Sequence, residues 1–213
     1  MSRHRGAACA ALLAIAPAHA SAATVEAHVL DAAGQPVADA VVWAVPAVAV
    51  ADAKGRTVSI EQEDREFVPH VTVLQAGTAA SFPNRDPIMH HVYSFSTAKP
   101  FEIKLYTGKS PQEIVFDRPG VVKLGCNIHD WMLGYVVVVP TPFFGKSDAT
   151  GTVRLRDLPA GSYELSAWQP LQRAAVPAQA VTLDAAASHS ARFTFDLQPR
   201  KPKYKPPLDR LKY

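Results

Sequence analysis

Short apolar runs rich in β-branched residues, each closed by Gly, Pro or Asp, recur along almost the entire chain. Clear examples are residues 71–74, 91–95, 121–124 and 134–139. The 213 residues include 18 Pro and 11 Gly, which supply turn signals between the runs. Short strands at regular spacing with such signals are typical of β-sandwiches. We therefore predict an all-β chain.

The first 22 residues have the character of a signal peptide. Arg3 and Arg5 give a basic start, residues 7–17 form a short apolar run, and residues 18–20 fit a cleavage site. The run is far shorter than the roughly 20 apolar residues that span a bilayer. No later segment is apolar enough to do so. We therefore expect an exported, periplasmic protein without a transmembrane segment.

The charge of the mature chain argues against nucleic acid as a partner. Residues 1–20 carry two of the 22 basic residues and none of the 19 acidic ones, which leaves 20 against 19. A nucleic-acid-binding domain needs a strongly basic surface. The remaining basic bias lies in a proline-rich tail, residues 198–213. We expect a solvated end there, with docking to an acidic partner or a membrane surface as the alternative.

One cysteine, Cys126, lies outside the leader, so the mature chain cannot form an internal disulfide. It begins the run Cys126-Asn-Ile-His129-Asp-Trp-Met132. A trigonal copper site needs one cysteine, two histidines and a weak axial methionine. Cys126, His129 and Met132 supply three of those four ligands from one short connection between two predicted strands.

The second histidine has two candidates, His90 and His91, which lie in an extended segment far upstream. Neighbouring side chains of an extended segment point to opposite faces, so only one of the two can face the metal. The residues alone leave the choice open.

The upstream half of this ligand set resembles that of plastocyanin and amicyanin, which are cupredoxins. Those proteins carry an aromatic residue two positions before an Asn and the first histidine ligand six positions after it. Phe82, Asn84 and His90 occupy these positions here. The resemblance implies a Greek-key sandwich with His90 as the fourth ligand. It also implies that Asn84 and His91 lie just behind the ligands, with Asn84 fixing the Cys126 loop through hydrogen bonds.

The likeness is strongest to MauL-type cupredoxins associated with methylamine utilisation. They share the runs His-His-Val-Tyr-Ser at 90–94 and Gly-Cys-Asn-Ile-His-Asp-Trp-Met-Leu at 125–133. A second likeness concerns the two ends of the chain. The motif at 31–40 and the Leu-Pro-x-Gly-x-Tyr motif at 158–163 resemble the two halves of a carboxypeptidase-regulatory-like, or transthyretin-like, sandwich.

These likenesses imply that the cupredoxin sandwich is inserted in a second small β-sandwich. An insertion of this kind is cheap when the ends of the inserted domain lie close together. The alternative is a cupredoxin with an extra N-terminal hairpin and an independent C-terminal module. The predicted boundaries are 1–22 for the signal peptide, 24–50 for the N-terminal strands of the transthyretin-like sandwich, 60–140 for the cupredoxin domain, 141–197 for the rest of the transthyretin-like sandwich, and 198–213 for the tail.

The resulting expectation is a periplasmic type 1 copper protein that binds one copper ion and transfers single electrons. Its partner would be a redox protein, a dehydrogenase or a cytochrome, and the resemblance implies a link to methylamine or other amine oxidation. We expect no catalytic residues and no enzymatic activity. The alternatives are a copper-delivery protein and a metal-free β-sandwich interaction module.

Overall fold

The computed structural model describes residues 22–199, and these residues fold into strands joined by turns and loops. The prediction of an all-β fold is confirmed for this part of the chain. Within it, no helix has the length and apolar character needed to cross a bilayer. The predicted signal peptide up to residue 21, and the tail from residue 200 onward, lie outside the described residues.

The described chain contains seventeen strands. In order, they are β1 (Ala23–Asp31), β2 (Val41–Pro46), β3 (Thr57–Ser59), β4 (Glu61–Glu63), β5 (Glu66–Val68), β6 (Val71–Gln75), β7 (Thr78–Ser81), β8 (His90–Ser94), β9 (Phe101–Tyr106), β10 (Ile114–Phe116), β11 (Gly120–Gly125), β12 (Leu133–Val139), β13 (Phe144–Lys146), β14 (Thr152–Leu158), β15 (Gly161–Trp168), β16 (Gln179–Leu183) and β17 (Ser188–Phe195).

One sandwich, which we call the terminal sandwich, is built from both ends of the described chain. Its sheets have the strand orders β14-β1-β17 and β13-β2-β15-β16. Val25, Ala27 and Val29 of β1 alternate inward and are fully buried, as a strand with one face on a core requires. They pack with Leu165, Phe193 and other apolar residues of the later strands.

The register of β1 ties the beginning of the described chain to its end. β1 runs antiparallel to β14, with Val25 opposite Leu155, and parallel to β17, with Val25 opposite His189. β1 and β2 lie in different sheets. Strands β3 to β12 therefore lie, in sequence, between two parts of one sandwich. The exact domain boundaries given above remain predictions.

The other sandwich, which we call the central sandwich, pairs the five-stranded sheet β6-β12-β11-β8-β9 with the sheet β10-β7-β3. This arrangement is consistent with the cupredoxin-like sandwich expected from the sequence. Its core contains Phe67, Phe82 and Phe116, all almost completely buried. Cys126 and Met132 belong to the same core. The predicted ligand loop is therefore anchored in the interior of this sandwich.

The two sandwiches share a small apolar contact. Val41 of the terminal sandwich packs with Val71, Val137 and Val139 of the central one, and all four side chains are buried. Burying a valine stabilises by roughly 1.5–3 kcal/mol relative to leaving it exposed. Lys146 adds a hydrogen bond from its Nζ to the Val71 carbonyl oxygen at 3.2 Å. The contact favours one fixed arrangement of the two sandwiches.

Candidate metal centre

Three strand ends bring the predicted ligands together at one end of the five-stranded sheet. His90 is the first residue of β8, Cys126 directly follows β11, and Met132 directly precedes β12. β11 lies between β8 and β12, and Gly125 pairs with Tyr93. The sheet hydrogen bonds therefore hold the His90 segment beside the loop that carries the other candidates.

His90, Cys126 and His129 form a tight cluster of donor atoms. The Nδ1 atoms of His90 and His129 are 3.1 Å apart. The Cys126 Sγ atom lies 3.9 Å from the His90 Nδ1 and 3.6 Å from the His129 Nδ1. Metal binding needs several His, Cys, Asp or Glu side chains close together. Within residues 22–199, His90, Cys126 and His129 are the group of at least three that lies close enough to hold one metal ion.

These separations fit ligands that share an ion. Nitrogen and sulfur ligands lie roughly 2.0–2.3 Å from a bound first-row metal such as zinc, so two of them can be up to about 4 Å apart. All three side chains are buried, with His90 and His129 fully inaccessible to solvent. A thiolate with two imidazoles is the equatorial donor set that copper prefers in trigonal sites.

Met132 closes the loop below this cluster. Its backbone N–H donates to the His129 carbonyl oxygen at 2.8 Å, which makes the tight turn back into β12. Its side chain is buried in the same core as Cys126. The structure thus places Met132 on the same loop and in the same core as Cys126, and its role as a ligand remains a prediction.

Asp86 is a functional candidate that sequence reasoning missed. Its Oδ2 lies 2.7 Å from the His90 Nε2, so this ring nitrogen is engaged and Nδ1 is left facing the cluster. Its Oδ1 accepts the backbone N–H of Asp64, and its Oδ2 accepts that of Arg65, each at 2.8 Å. Metal-ligating histidines usually bond through the other ring nitrogen to such a partner, which fixes the tautomer.

Burial disfavours the charge on Asp86, but its hydrogen bonds outweigh that effect. The His90 imidazole and the Arg65 and Asp64 amides together lower the pKa of Asp86 below the usual value of 3.8. Asp86 is therefore a carboxylate at neutral pH. In the sequence, the role of Asp86 is indicated only by its position four residues before His90. Acidic residues in turns are common, so this position did not distinguish it.

Asn84 is buried beside the site, but it fixes a different loop from the one expected. Its Nδ2 donates to the carbonyl oxygens of Ile88 at 2.8 Å and Tyr106 at 3.0 Å, and its Oδ1 accepts the Asp86 N–H at 2.9 Å. These bonds hold the loop that leads to His90. The expectation that Asn84 bonds the Cys126 loop is wrong because its amide is used up within the upstream segment and by β9.

His91 points away from His90, as the alternation along a strand requires. Its Nε2 lies 2.9 Å from the Glu102 Oε1, and its ring lies against that of Tyr93. Its backbone amide is directed at the Cys126 sulfur, where it favours the thiolate. The structure therefore brings His91 next to the cluster through its main chain, and it does not place the imidazole of His91 among the donor atoms.

The environment of Cys126 balances two effects. Burial raises the pKa of the thiol above its usual value, while the backbone N–H groups of His91, Ile128 and His129 lower it. In the absence of a cation, burial wins. A bound metal ion would reverse that balance, since a coordinating thiol is deprotonated outright. Three amides aimed at one sulfur are a preformed setting for a thiolate.

His129 is held neutral. Burial, followed by the neighbouring His90 and Arg65, lowers the pKa of its imidazole from 6.5 to about 4. Its ring also lies against that of Trp131, with centroids 5.3 Å apart. A neutral imidazole is the form that binds a metal. Near neutral pH, His129 therefore presents an unprotonated imidazole to the cluster.

Solved cupredoxin structures resemble part of this fold. A purple cupredoxin from Nitrosopumilus maritimus is 23% identical, with a TM-score of 0.34, over 39% of this chain and 99% of its own. A reduced amicyanin mutant is 16% identical, with a TM-score of 0.37, over 45% and 98% of the two chains. A copper-containing nitrite reductase from Thermus scotoductus is 23% identical, with a TM-score of 0.39, over 55% of this chain and 28% of its own.

By sequence, no family description matches the chain and no curated protein is similar to it. The likenesses to solved structures are partial and low in identity. The assignment of a function therefore depends on the atoms of the site itself.

Proposed function

We propose that this chain is a type 1 copper protein that transfers single electrons. The observation that carries the proposal is the buried triangle of His90 Nδ1, Cys126 Sγ and His129 Nδ1, with sides of 3.1, 3.6 and 3.9 Å. These residues, together with Met132, would hold one copper ion. A thiolate, two imidazoles and a thioether form the donor set of blue-copper electron-transfer sites.

The protein residues do three things for this function. Asp86 fixes the tautomer of His90, and the amides around Cys126 favour its thiolate. The core of the central sandwich, including Phe67 and Phe82, excludes water from the cluster. The bound copper would supply a one-electron Cu(I)/Cu(II) couple. Because His90, Cys126 and Met132 lie at or next to the ends of hydrogen-bonded strands, we expect the site to change little with oxidation state.

Electron transfer accounts for this geometry better than catalysis does. Four protein ligands would complete the coordination, whereas catalytic metal sites keep an open position. The three clustered ligands are also buried beneath the surface. A cysteine and a histidine can serve as nucleophile and base, but the second histidine and the buried methionine have no part in that chemistry. We propose no catalytic residues.

The setting of this function is part of the same proposal. The leader supports an exported protein of the periplasm, which would exchange electrons with a dehydrogenase or a cytochrome. The sequence likeness to MauL-type proteins favours amine oxidation as the pathway and a transthyretin-like origin for the terminal sandwich. Purification from the periplasmic fraction and capture of the partner by cross-linking would test these points.

The visible absorption spectrum of the mature protein after addition of Cu(II) tests the proposed site. We expect an intense blue or violet band from the Cys126 thiolate, which bleaches on reduction and returns on oxidation. Cys126→Ser should lose the band, and His189→Ala, remote in β17, should keep it. A colourless protein that binds only Cu(I) would instead indicate copper delivery. A protein that retains no copper would indicate a metal-free interaction module.

A further inference from the structure

The imidazoles of the proposed copper site do not reach the surface. His90 and His129 have no solvent-exposed area, and Cys126 and Met132 are almost completely buried. A reductant or oxidant in solution therefore cannot touch a ligand ring. Any electron that enters or leaves the site has to cross other atoms of the protein, so the residues between the ligands and solvent matter for the proposed function.

A row of three rings lies on the outer face of β8 and its continuation. Side chains alternate along an extended segment, so His91, Tyr93 and Phe95 share the face opposite to His90. The ring of Tyr93 lies between the other two, with centroids 5.5 Å from that of His91 and 5.1 Å from that of Phe95. His91 is buried, whereas Phe95 is 87% exposed. The row therefore leads from the side of the metal centre to solvent.

The middle ring of this row rests on the residue that precedes Cys126. Gly125 of β11 and Tyr93 of β8 are paired across the sheet. A Cβ atom added at Gly125 would lie 2.7 Å from the Tyr93 Cζ and 2.8 Å from its Oη, so the phenol ring occupies the place that a side chain would take. Because Gly125 has none, the ring packs directly on the main chain, one peptide bond from Cys126.

A second contact joins the same row to the sulfur. The backbone N–H of His91 is directed at the Cys126 thiol, and the His91 ring lies against that of Tyr93. Cys126 is therefore connected to Tyr93 both through Gly125 and through His91. Bonded and closely packed atoms couple an electron donor to an acceptor more strongly than an empty gap does. A single exposed apolar residue is common on protein surfaces, so Phe95 gains its meaning from this unbroken series of contacts.

A competing route starts at His129, whose ring lies 5.3 Å from that of Trp131, measured between centroids. Two observations favour the row on β8. Trp131 is only partly exposed, whereas Phe95 projects almost fully into solvent. The row on β8 also begins at the cysteine, and a soft thiolate shares its electrons with copper more strongly than an imidazole does. A route that starts at the sulfur is therefore the better coupled of the two.

We propose that Tyr93 and Phe95 form the route by which electrons pass between the protein surface and the metal centre. The inference rests on the proposed copper site and adds the residues through which that site is reached. Phe95 is the point of entry, Tyr93 is the bridge, and the main chain of Gly125 leads to Cys126. The two rings provide coupling and are themselves neither oxidised nor reduced. One electron leaves an external donor, and the same electron converts Cu(II) to Cu(I).

A photochemical reductant attached to the surface tests this route in the copper-loaded protein. A ruthenium polypyridyl label is coupled to Phe95→Cys, and a laser flash with a sacrificial donor starts the transfer of one electron to the oxidised site. Tyr93→Leu should slow this transfer severalfold while the blue band and the reduction potential stay unchanged. Gly125→Ala should slow it too, because the added methyl group displaces the Tyr93 ring. From a label at Val115→Cys, half-exposed on β10 of the opposite sheet, Tyr93→Leu should leave the rate unchanged.

A measurement on the metal-free protein checks the contact on which the route depends. The Cα protons of Gly125 lie against the Tyr93 ring, so their NMR signals should carry a ring-current shift that Tyr93→Leu removes. Signals without that shift would overturn the proposal. So would a transfer rate from position 95 that is insensitive to Tyr93→Leu, and a rate that falls with Trp131→Leu instead would assign the route to His129. A wild-type protein without the blue band would refute the copper site and the route together, whereas a normal band with insensitive rates refutes the route alone.

Discussion

The His90 imidazole bridges two regions of the site, because its Nε2 lies 2.7 Å from the Asp86 Oδ2 and its Nδ1 lies 3.9 Å from the Cys126 sulfur. The carboxylate thereby decides which ring nitrogen faces the metal. Asp86 is itself held by the backbone amides of Asp64 and Arg65. A loop more than twenty residues upstream of His90 thus orients a ligand that it does not touch.

Replacing Asp86 with Ala should weaken copper binding about 10–100-fold, which is the usual cost of removing such a partner from a ligating histidine. Asp86→Asn should weaken binding less than Asp86→Ala does, because the remaining amide oxygen can still accept some of the hydrogen bonds of the carboxylate. Competition with a copper chelator measures both values. The control is Asp117→Asn, an exposed carboxylate that pairs with Lys99 away from the site. Equal affinities for all three variants would show that Asp86 has no positioning role.

Met132→Leu should separate the structural role of this residue from its role as a ligand. Leucine and methionine have similar volumes, so the metal-free protein should lose less than about 1.5 kcal/mol of stability. The colour should persist, because the thiolate and both imidazoles remain. The reduction potential should rise, since the thioether that helps to stabilise Cu(II) is gone. Spectroelectrochemical titration measures this shift, and an unchanged potential would indicate that Met132 is only core filling.

The sequence allowed prediction of the ligands that are close together in the chain. Cys126, His129 and Met132 lie within one connection, so their spacing alone indicated a common target. The choice of His90 over His91 also agreed with the geometry, since alternation along β8 sends the two rings to opposite sides. The role of Asp86 in positioning His90 could not be predicted in this way. It depends on backbone amides from a distant loop, and no local sequence pattern indicates that contact.

In the terminal sandwich, too, local features could be predicted from the sequence and long-range pairing could not. Its turn motifs and the inward alternation of β1 were visible in the sequence, and they predicted strands at both ends of the chain. The parallel pairing of β1 with β17 had no local signal, because register between distant strands is set by the whole core.

The turn at Asp148 provides a test of stability against pH. The Asp148 Oδ1 accepts the Thr150 hydroxyl at 2.6 Å and the Thr150 and Thr152 amides at 2.9 and 3.0 Å. The Thr150 hydroxyl, followed by the Thr152 amide, lowers the pKa of Asp148 below 3.8. A carboxylate whose pKa is lower in the folded state stabilises that state above its unfolded pKa. This contribution is lost as the pH falls through the lowered value.

Asp148→Asn keeps the acceptor oxygen but removes the charge. Relative to the wild type, it should be less stable near neutral pH, and the difference should shrink below pH 4, where the unfolded carboxylate is protonated. Urea unfolding at a series of pH values measures the difference. Glu164→Gln, an exposed carboxylate on β15, provides the background. A difference that stays constant down to the lowest pH would mean that the charge of Asp148 does not stabilise the turn.

Gly151 follows this turn at a point where the chain passes very close to β1. Its φ is +73°, and a Cβ atom added there would collide with the carbonyl oxygen of Val29. Its own carbonyl oxygen accepts the Val29 N–H at 2.7 Å, so the backbone cannot retreat without losing that bond. Gly151→Ala therefore combines an unfavourable left-handed conformation with a clash against backbone, and it should destabilise the terminal sandwich by roughly 3 kcal/mol.

Gly55 is the matched control for Gly151. Its φ is +72°, but a Cβ atom there would meet nothing within 4 Å. Gly55→Ala should therefore cost only the conformational part, about 1 kcal/mol. Thermal and urea unfolding of the two variants isolates the contribution of the close approach to β1. If both substitutions cost the same, then the chain at Gly151 relaxes away from Val29, and the pairing of the two ends of the terminal sandwich is looser than this contact implies.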